Sequence, residues 1–201
     1  MNRMRALLVD LDGTLADTAT ANFNAYHAAF RERGVVVSRS EFEAVASGRH
    51  WTGFVPLLAP ALDEATWADI ARRKAEFYKG YIQTIPLNTA ILLLLRSRRD
   101  DCFAALVTTA RTTSVDAVLD GHGIRDLFDV IVTGDDVTRH KPSPDCYVLA
   151  AERLSVRPSE CVAIEDSDVG VASACAFGAA VLKVAILEPN VRESISKGVR
   201  A

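Results

Sequence analysis

Five short apolar runs stand out along the chain, at 6–10, 104–108, 130–133, 161–165 and 180–184. Each has the length of a buried strand, and helical patterns of about 10–15 residues separate the later ones. Strands alternating with helices in this way predict a parallel sheet covered on both faces. The helices carry their own punctuation. Ser143 offers an N-cap and Pro144 a first helical position ahead of 145–154. Asn88 is placed to cap 89–99, and Ser167 to cap a helix that runs out near Gly178.

The segment 18–85 breaks this alternation. It holds no strand pattern but several helical ones: 18–33 ending at Gly34, a capping-box match at Ser40-x-x-Glu43, and 63–83. In the last of these Trp67, Ile70, Ala71, Lys74 and Phe77 follow i, i+3, i+4 spacing, although Arg72-Arg73-Lys74 also reads as a solvated helix face. The expected fold class is α/β, a Rossmann-like parallel sheet core built from 1–17 and 86–201, with 18–85 inserted as an α-helical cap. A polar tail from Pro189 is expected to fray.

Composition narrows the function classes. With 49% hydrophobic and 24% charged residues among 201, the chain is neither disordered nor low-complexity. Twenty-three Lys+Arg against 26 Asp+Glu leave a net charge of −3, so no general basic field exists for nucleic acid or an anionic membrane. The apolar run 90–95 is far short of the ~20 residues of a membrane span, and 6–9 is too short for a secretory leader. Cys102, Cys146, Cys161 and Cys175 lack ligand spacing and read as buried, reduced thiols. The expectation is a cytoplasmic monomer acting on a small molecule.

Ligands of an open α/β sheet bind at the carboxyl ends of its strands. The first run ends in Asp10-Leu11-Asp12-Gly13-Thr14-Leu15-Ala16-Asp17, the second in Val107-Thr108-Thr109 and the fourth in Glu165-Asp166-Ser167, while His140-Lys141-Pro142 follows the third. Acidic, hydroxyl and cationic groups thus converge on one edge, and they suit phosphoryl transfer through a carboxylate. Asp10, held on a strand end, is the candidate nucleophile. Asp12, beyond a turn that Gly13 permits, is placed to protonate the leaving oxygen and then to deprotonate water. Crowded carboxylates repel and need a cation, and Mg²⁺ prefers oxygen ligands. Asp10, the Asp12 carbonyl and Asp166 are the expected metal ligands. Thr108 and Lys141 are the donor and counter-charge for the phosphoryl oxygens.

The run from Asp10 to Asp17 resembles the first motif of the haloacid dehalogenase-like superfamily. Leu106-Val107-Thr108 resembles its second motif, Lys141-Pro142 its third, and Ala163-Ile164-Glu165-Asp166-Ser167-x-x-Gly170 its fourth, in the phosphoglycolate phosphatase and β-phosphoglucomutase-like branch. Order and spacing agree over about 5–185. The resemblance implies a Rossmann-like core, a helical cap after the first motif, and a Mg²⁺-dependent phosphatase passing through a phosphorylated Asp10. The phosphate-binding set is then Leu11, Asp12, Thr108, Thr109 and Lys141, with Glu165 standing behind the metal ligands Asp10, Asp12 and Asp166. A sugar-phosphate mutase and a non-catalytic binding module of the same fold are the alternatives.

Some positions depart from the branch. Dehalogenating members lack an acid two residues after the nucleophile, whereas Asp12 is present. Mutases carry a histidine about twelve residues past the nucleophile, where Asn22 stands; His27, a helical turn on, reads as packed or solvated. Asp168 reads as a helix N-terminal residue favoured by the dipole. For substrate contacts the candidates are Arg49, in the Gly48–Gly53 loop beside Trp51, and Arg111 just past Thr109.

Overall fold

The computed structural model describes residues 3–98 and 100–185. Its strands are β1 (Ala6–Val9), β2 (Phe103–Val107), β3 (Val130–Val132), β4 (Cys161–Glu165) and β5 (Ala180–Lys183). They form one parallel sheet in the order β3-β2-β1-β4-β5. The expected runs agree with these strands to within a residue; Asp10, Thr108, Thr133 and Val184 lie just past the strands, and β2 begins one residue early, at Phe103. β1 occupies the centre, with Leu8 opposite Ala105 on one side and Ala163 on the other.

Eight helices accompany the sheet among the described residues: α1 (Ala19–Arg31), α2 (Arg39–Ala46), α3 (Val55–Leu58), α4 (Glu64–Tyr78), α5 (Thr89–Arg96), α6 (Thr112–His122), α7 (Asp145–Leu154) and α8 (Asp168–Phe177). Successive strand residues point to opposite faces, which divides the core in two. Leu7, Val9 and Leu106 meet α5 and α6 through Ile91, Leu95, Val115 and Leu119. Ala6, Leu8 and Val107 meet α7 and α8 through Tyr147, Ala150 and Ala174. The helices between β1 and α5 hold a third cluster of their own, built on Tyr26, Phe30, Phe42, Phe54 and Ile70. No described helix is long and apolar enough to cross a membrane.

The insertion starts and ends at one place. The Asp17 amide donates to the Pro86 carbonyl at 2.9 Å, and the Asn88 amide to the Leu15 carbonyl at 2.8 Å. Ala16 bridges to both Asp12 and Leu87.

Asn88 and Ser167 cap their helices as expected, accepting from the Ile91 and Gly170 amides, and α8 ends at left-handed Gly178. Other expectations need correction. The capping box is Ser38 with Glu41, not Ser40 with Glu43: the Ser38 hydroxyl accepts the Glu41 amide at 3.2 Å, and the Glu41 carboxylate accepts the Ser38 amide at 2.8 Å. At α7 the N-cap position is Pro144, without a side-chain cap, because the Ser143 hydroxyl donates instead to Asp145 at 2.8 Å. The pattern over 63–83 splits into α4 and a tighter 3₁₀ stretch, Lys79–Thr84. α5 stops at Arg96, and Arg99 lies outside the described residues, as does the tail from Pro189. Three cysteines are buried, but Cys175 is exposed. Lys74 is not on a solvated face: it shares the inward stripe of Ile70, Ala71 and Tyr78, leaving Arg72 and Arg73 to pair outside with Asp69, Glu32 and Glu76.

Candidate active site

Asp10 follows β1, its amide donating to the Ile164 carbonyl of β4 at 3.0 Å. The chain then turns at Gly13, whose φ of +85° suits glycine; a β-carbon there would also strike the Asp166 carboxylate at 2.2 Å. Because β1 lies between β2 and β4, Asp10 and the Glu165-Asp166 pair emerge side by side.

Lys141 reaches the same point from the loop after β3. Its Nζ donates to Asp10 Oδ1 at 2.7 Å, to Glu165 Oε1 at 2.5 Å and to the Val107 carbonyl at 3.0 Å. All three residues are buried. The Tyr147 hydroxyl from α7 also donates to Glu165 Oε1, at 2.5 Å, while Glu165 Oε2 is buried without a partner. Carboxylate oxygens of Asp10, Glu165 and Asp166 lie within 4.8 Å of one another, so Glu165 stands in the acidic cluster itself.

The electrostatics follow from this crowding. Burial opposes the charge on Lys141, but Asp10, Tyr147 and Glu165 outweigh it and hold its pKa well above the ordinary value. Burial pushes Asp10 upward against the pull of Lys141, with Glu165, Asp12 and Asp166 adding to the rise. Asp166 is pushed up to about 6 by burial and by Glu165. Acids so crowded form a ready site for a divalent cation.

Asp12 points elsewhere. Its Oδ1 accepts from the Thr18 hydroxyl at 2.5 Å and from the Asn22 amide at 2.9 Å, both on or beside α1. Asp10, Asp12 and Asp166 line a cavity of about 370 Å³, with Thr109, Arg111 and Lys74 among its other walls. Thr108 is buried and its hydroxyl accepts the Ala110 amide at 3.0 Å, bracing the loop on which Thr109 sits. The Leu11 side chain is buried in the core, so its backbone alone is available to a ligand.

Among the other candidates, Arg49 is exposed at the cavity wall and Trp51 packs partly against the third cluster. Arg111 lines the cavity with its Nε 3.6 Å from Asp135. His27 stacks on Phe23 at 5.4 Å and is not among the cavity's lining residues. Asp168 opens α8 and pairs with Lys183 at 2.5 Å. Lys74 and Tyr147 are not among the residues the sequence assigns to this region, and His50 enters it only as a member of the loop 48–53 expected to meet substrate. Lys74 has a signal of its own: a lysine four residues past Ile70 on an apolar stripe has to be buried or broken out.

The sequence matches the model of the haloacid dehalogenase-like hydrolase family over residues 7–184. It is 28% identical to fructose-1-phosphate phosphatase YqaB of Escherichia coli over 92% of this chain and 98% of that protein. Against protein CbbY of Cereibacter sphaeroides the identity is 35%, over 87% of this chain and 81% of the relative. The crystal structure of CbbY from Rhodobacter sphaeroides in complex with phosphate superposes with a TM-score of 0.83 at 31% identity, covering 92% of this chain and 87% of that one.

Proposed function

We infer the activity from one premise: this chain belongs to the haloacid dehalogenase-like hydrolase family. It is a phosphoric monoester hydrolase, and we read its substrate as a small sugar phosphate. Relatives are named for fructose 1-phosphate and for hexitol, and CbbY has been solved with xylulose-(1,5)bisphosphate. The segment 18–85 reads as a helical cap over the core 1–17 and 86–201: it has its own apolar cluster and its two ends are hydrogen-bonded together.

In this reading a carboxylate oxygen of Asp10 attacks phosphorus and the bond to the alcohol oxygen breaks. Asp12 gives its proton to that leaving oxygen. Asp12 next takes a proton from water, whose oxygen attacks the phosphorylated Asp10, freeing inorganic phosphate and restoring both acids. Lys141 offsets the charge that gathers beside Asp10. Thr108, Thr109 and the backbone of Leu11 and Asp12 bind phosphoryl oxygens, the Thr108 hydroxyl also accepting the Ala110 amide beside Thr109.

The donor set fits a divalent cation, since three carboxylate oxygens converge and Glu165 Oε2 lacks a partner. Mg²⁺ held by Asp10, Asp166 and the Asp12 carbonyl, with Glu165 beside them, would neutralise phosphate charge and polarise the reacting phosphorus. Asn22 separates this reading from a mutase: its amide donates to Asp12 but carries no titrating proton. Free buried thiols support a reducing, cytoplasmic setting, and the scattered exposed apolar side chains support a monomer.

The observation that carries the reading is the buried Lys141–Asp10 contact at the end of the central strand, with Asp12 two residues on facing the same cavity. The test is phosphate release from a panel of sugar phosphates, with Mg²⁺ and with chelator. Release that needs the metal and stops in Asp10→Asn is expected. Release by Asp10→Asn at the unaltered rate, or isomerisation of a sugar phosphate with little free phosphate, would refute it.

A further inference from the structure

One wall of the cavity is closed by a contact that the reaction above does not use. His50 comes from the inserted segment, just before Trp51, and His140 from the core loop that carries Lys141. Their rings lie 3.8 Å apart between centroids, inclined by 30°. His50 is 7% exposed and its Nδ1 meets the Thr52 hydroxyl at 2.9 Å. Neither His50 Nε2 nor His140 Nδ1 has a hydrogen-bond partner. Gly134 makes the room, since a β-carbon there would lie 2.8 Å from His50 Cδ2 and 2.4 Å from the Thr109 carbonyl.

We propose that His50 is a positioning residue: stacked on His140 as a neutral ring, it pins the segment 48–53, and Arg49 with it, over the cavity, and acid releases it. Two imidazoles so close in a site shielded from water cannot take up charge without repulsion. The charged groups facing the pair divide. Asp135, on the turn Gly134–Asp136, favours a protonated ring, and Arg111, ahead of α6, opposes one at His50. Asp135 is already engaged, 3.6 Å from Arg111 Nε and accepting the Thr112 amide at 2.9 Å.

Burial, reinforced by His140, holds His50 at about 4 instead of the ordinary 6.5, and burial lowers His140 as well. A base depressed when docked and ordinary when released favours release as pH falls. Through His50 the docked-to-released ratio then drops about tenfold between roughly pH 7.5 and 5.5, and His140 adds to the drop. This concerns the cavity wall and not the reaction, so it is read without substrate and stands or falls apart from the phosphatase assignment.

Trp51 is the reporter, its ring centroid 5.6 Å from that of His50. In a Trp67→Phe chain it is the single tryptophan. Its emission should hold steady from about pH 8 to 7 and shift to the red between about pH 6.5 and 4.5, with far-ultraviolet circular dichroism unchanged. His50→Gln should abolish the shift, and His140→Gln, by removing the repelling partner, should move its midpoint to lower pH. Hydrogen exchange at 48–53 in the unaltered chain should speed up, beyond its intrinsic pH dependence, over the same range. A flat emission trace, a shift that survives His50→Gln, a midpoint unmoved by His140→Gln, or a shift that accompanies loss of helix signal would overturn the proposal.

Discussion

Two lysines are buried to nearly the same depth, 5% exposed for Lys141 and 6% for Lys74, and their surroundings give them opposite chemistry. Lys141, at the sheet edge, meets two carboxylates and a carbonyl. Lys74, on α4, meets the Ser114 hydroxyl at 3.4 Å and the ring faces of Tyr78 and Tyr26 at 3.9 and 5.3 Å. Among the described residues it has no carboxylate partner. Burial penalises both charges. The acids more than restore that of Lys141, whereas Lys74 falls to about 8, supported only by Asp12. Depth alone does not decide what a buried cation does. One lysine completes a closed cluster, and the other brings an unmatched charge to the cavity wall.

Breaking the closed cluster should have the largest effects. Asp10→Asn removes the proposed nucleophile and an anionic partner of Lys141 together, and should lower turnover by on the order of 10⁴-fold or more while thermal unfolding stays cooperative. Asp12→Asn keeps the cluster but removes the proposed proton carrier; kcat for phosphate release should fall about 10²–10⁴-fold. Lys141→Met leaves Asp10 and Glu165 buried without their cation. Urea denaturation should show a loss of about 3–5 kcal/mol, and activity should vanish with it.

Lys74→Met sharpens the contrast with a smaller effect of the opposite sign. A lysine whose folded pKa lies near 8, below its ordinary 10.5, makes the unfolded chain bind more protons between those values. Stability relative to the methionine variant should therefore rise between pH 8 and 10.5, by up to about 3 kcal/mol, and below pH 8 the variant should be the more stable. Lys141 behaves in reverse: its contribution is present below the ordinary lysine value and is lost only as pH climbs through its raised one. KM for sugar phosphates should rise a few-fold in Lys74→Met with kcat little changed, measured by steady-state phosphate release. A stability difference that stays flat across the alkaline range would remove the contrast.

The chemistry of the sheet edge was legible because it is written in short runs. Strands announce themselves by apolar length, and Asp10, Asp12 and Glu165-Asp166 sit directly at their ends. Asn88 and Ser167 were legible for the same reason, being adjacent to the helices they cap. What failed depended on choices that local pattern leaves tied. Ser38 and Ser40 each have a glutamate three residues on, and only packing of α2 through Phe42 decides between them. Lys74 fits both the apolar stripe and the basic run, and the tie breaks inward because the faces of the Tyr26 and Tyr78 rings receive its ammonium. That Glu165 would share Lys141 with Asp10 required knowing that β4 lies beside β1. The meeting of His50 with His140 joins residues far apart in sequence, which periodicity does not see.

The hydrogen bonds that tie Asp17 to Pro86 and Leu15 to Asn88 also bear on how such a molecule changes over generations. They form a clasp at the base of the inserted helices, and the pairing of β1 with β2 and β4 lies wholly outside it. Whatever is threaded through the clasp can be lengthened, trimmed or exchanged without re-registering a single strand, as domain insertion generally requires. With the inserted helices as the proposed cap, the handle that would hold the phosphate end and the tool head that would face the rest of the substrate can therefore diverge at separate rates within one lineage.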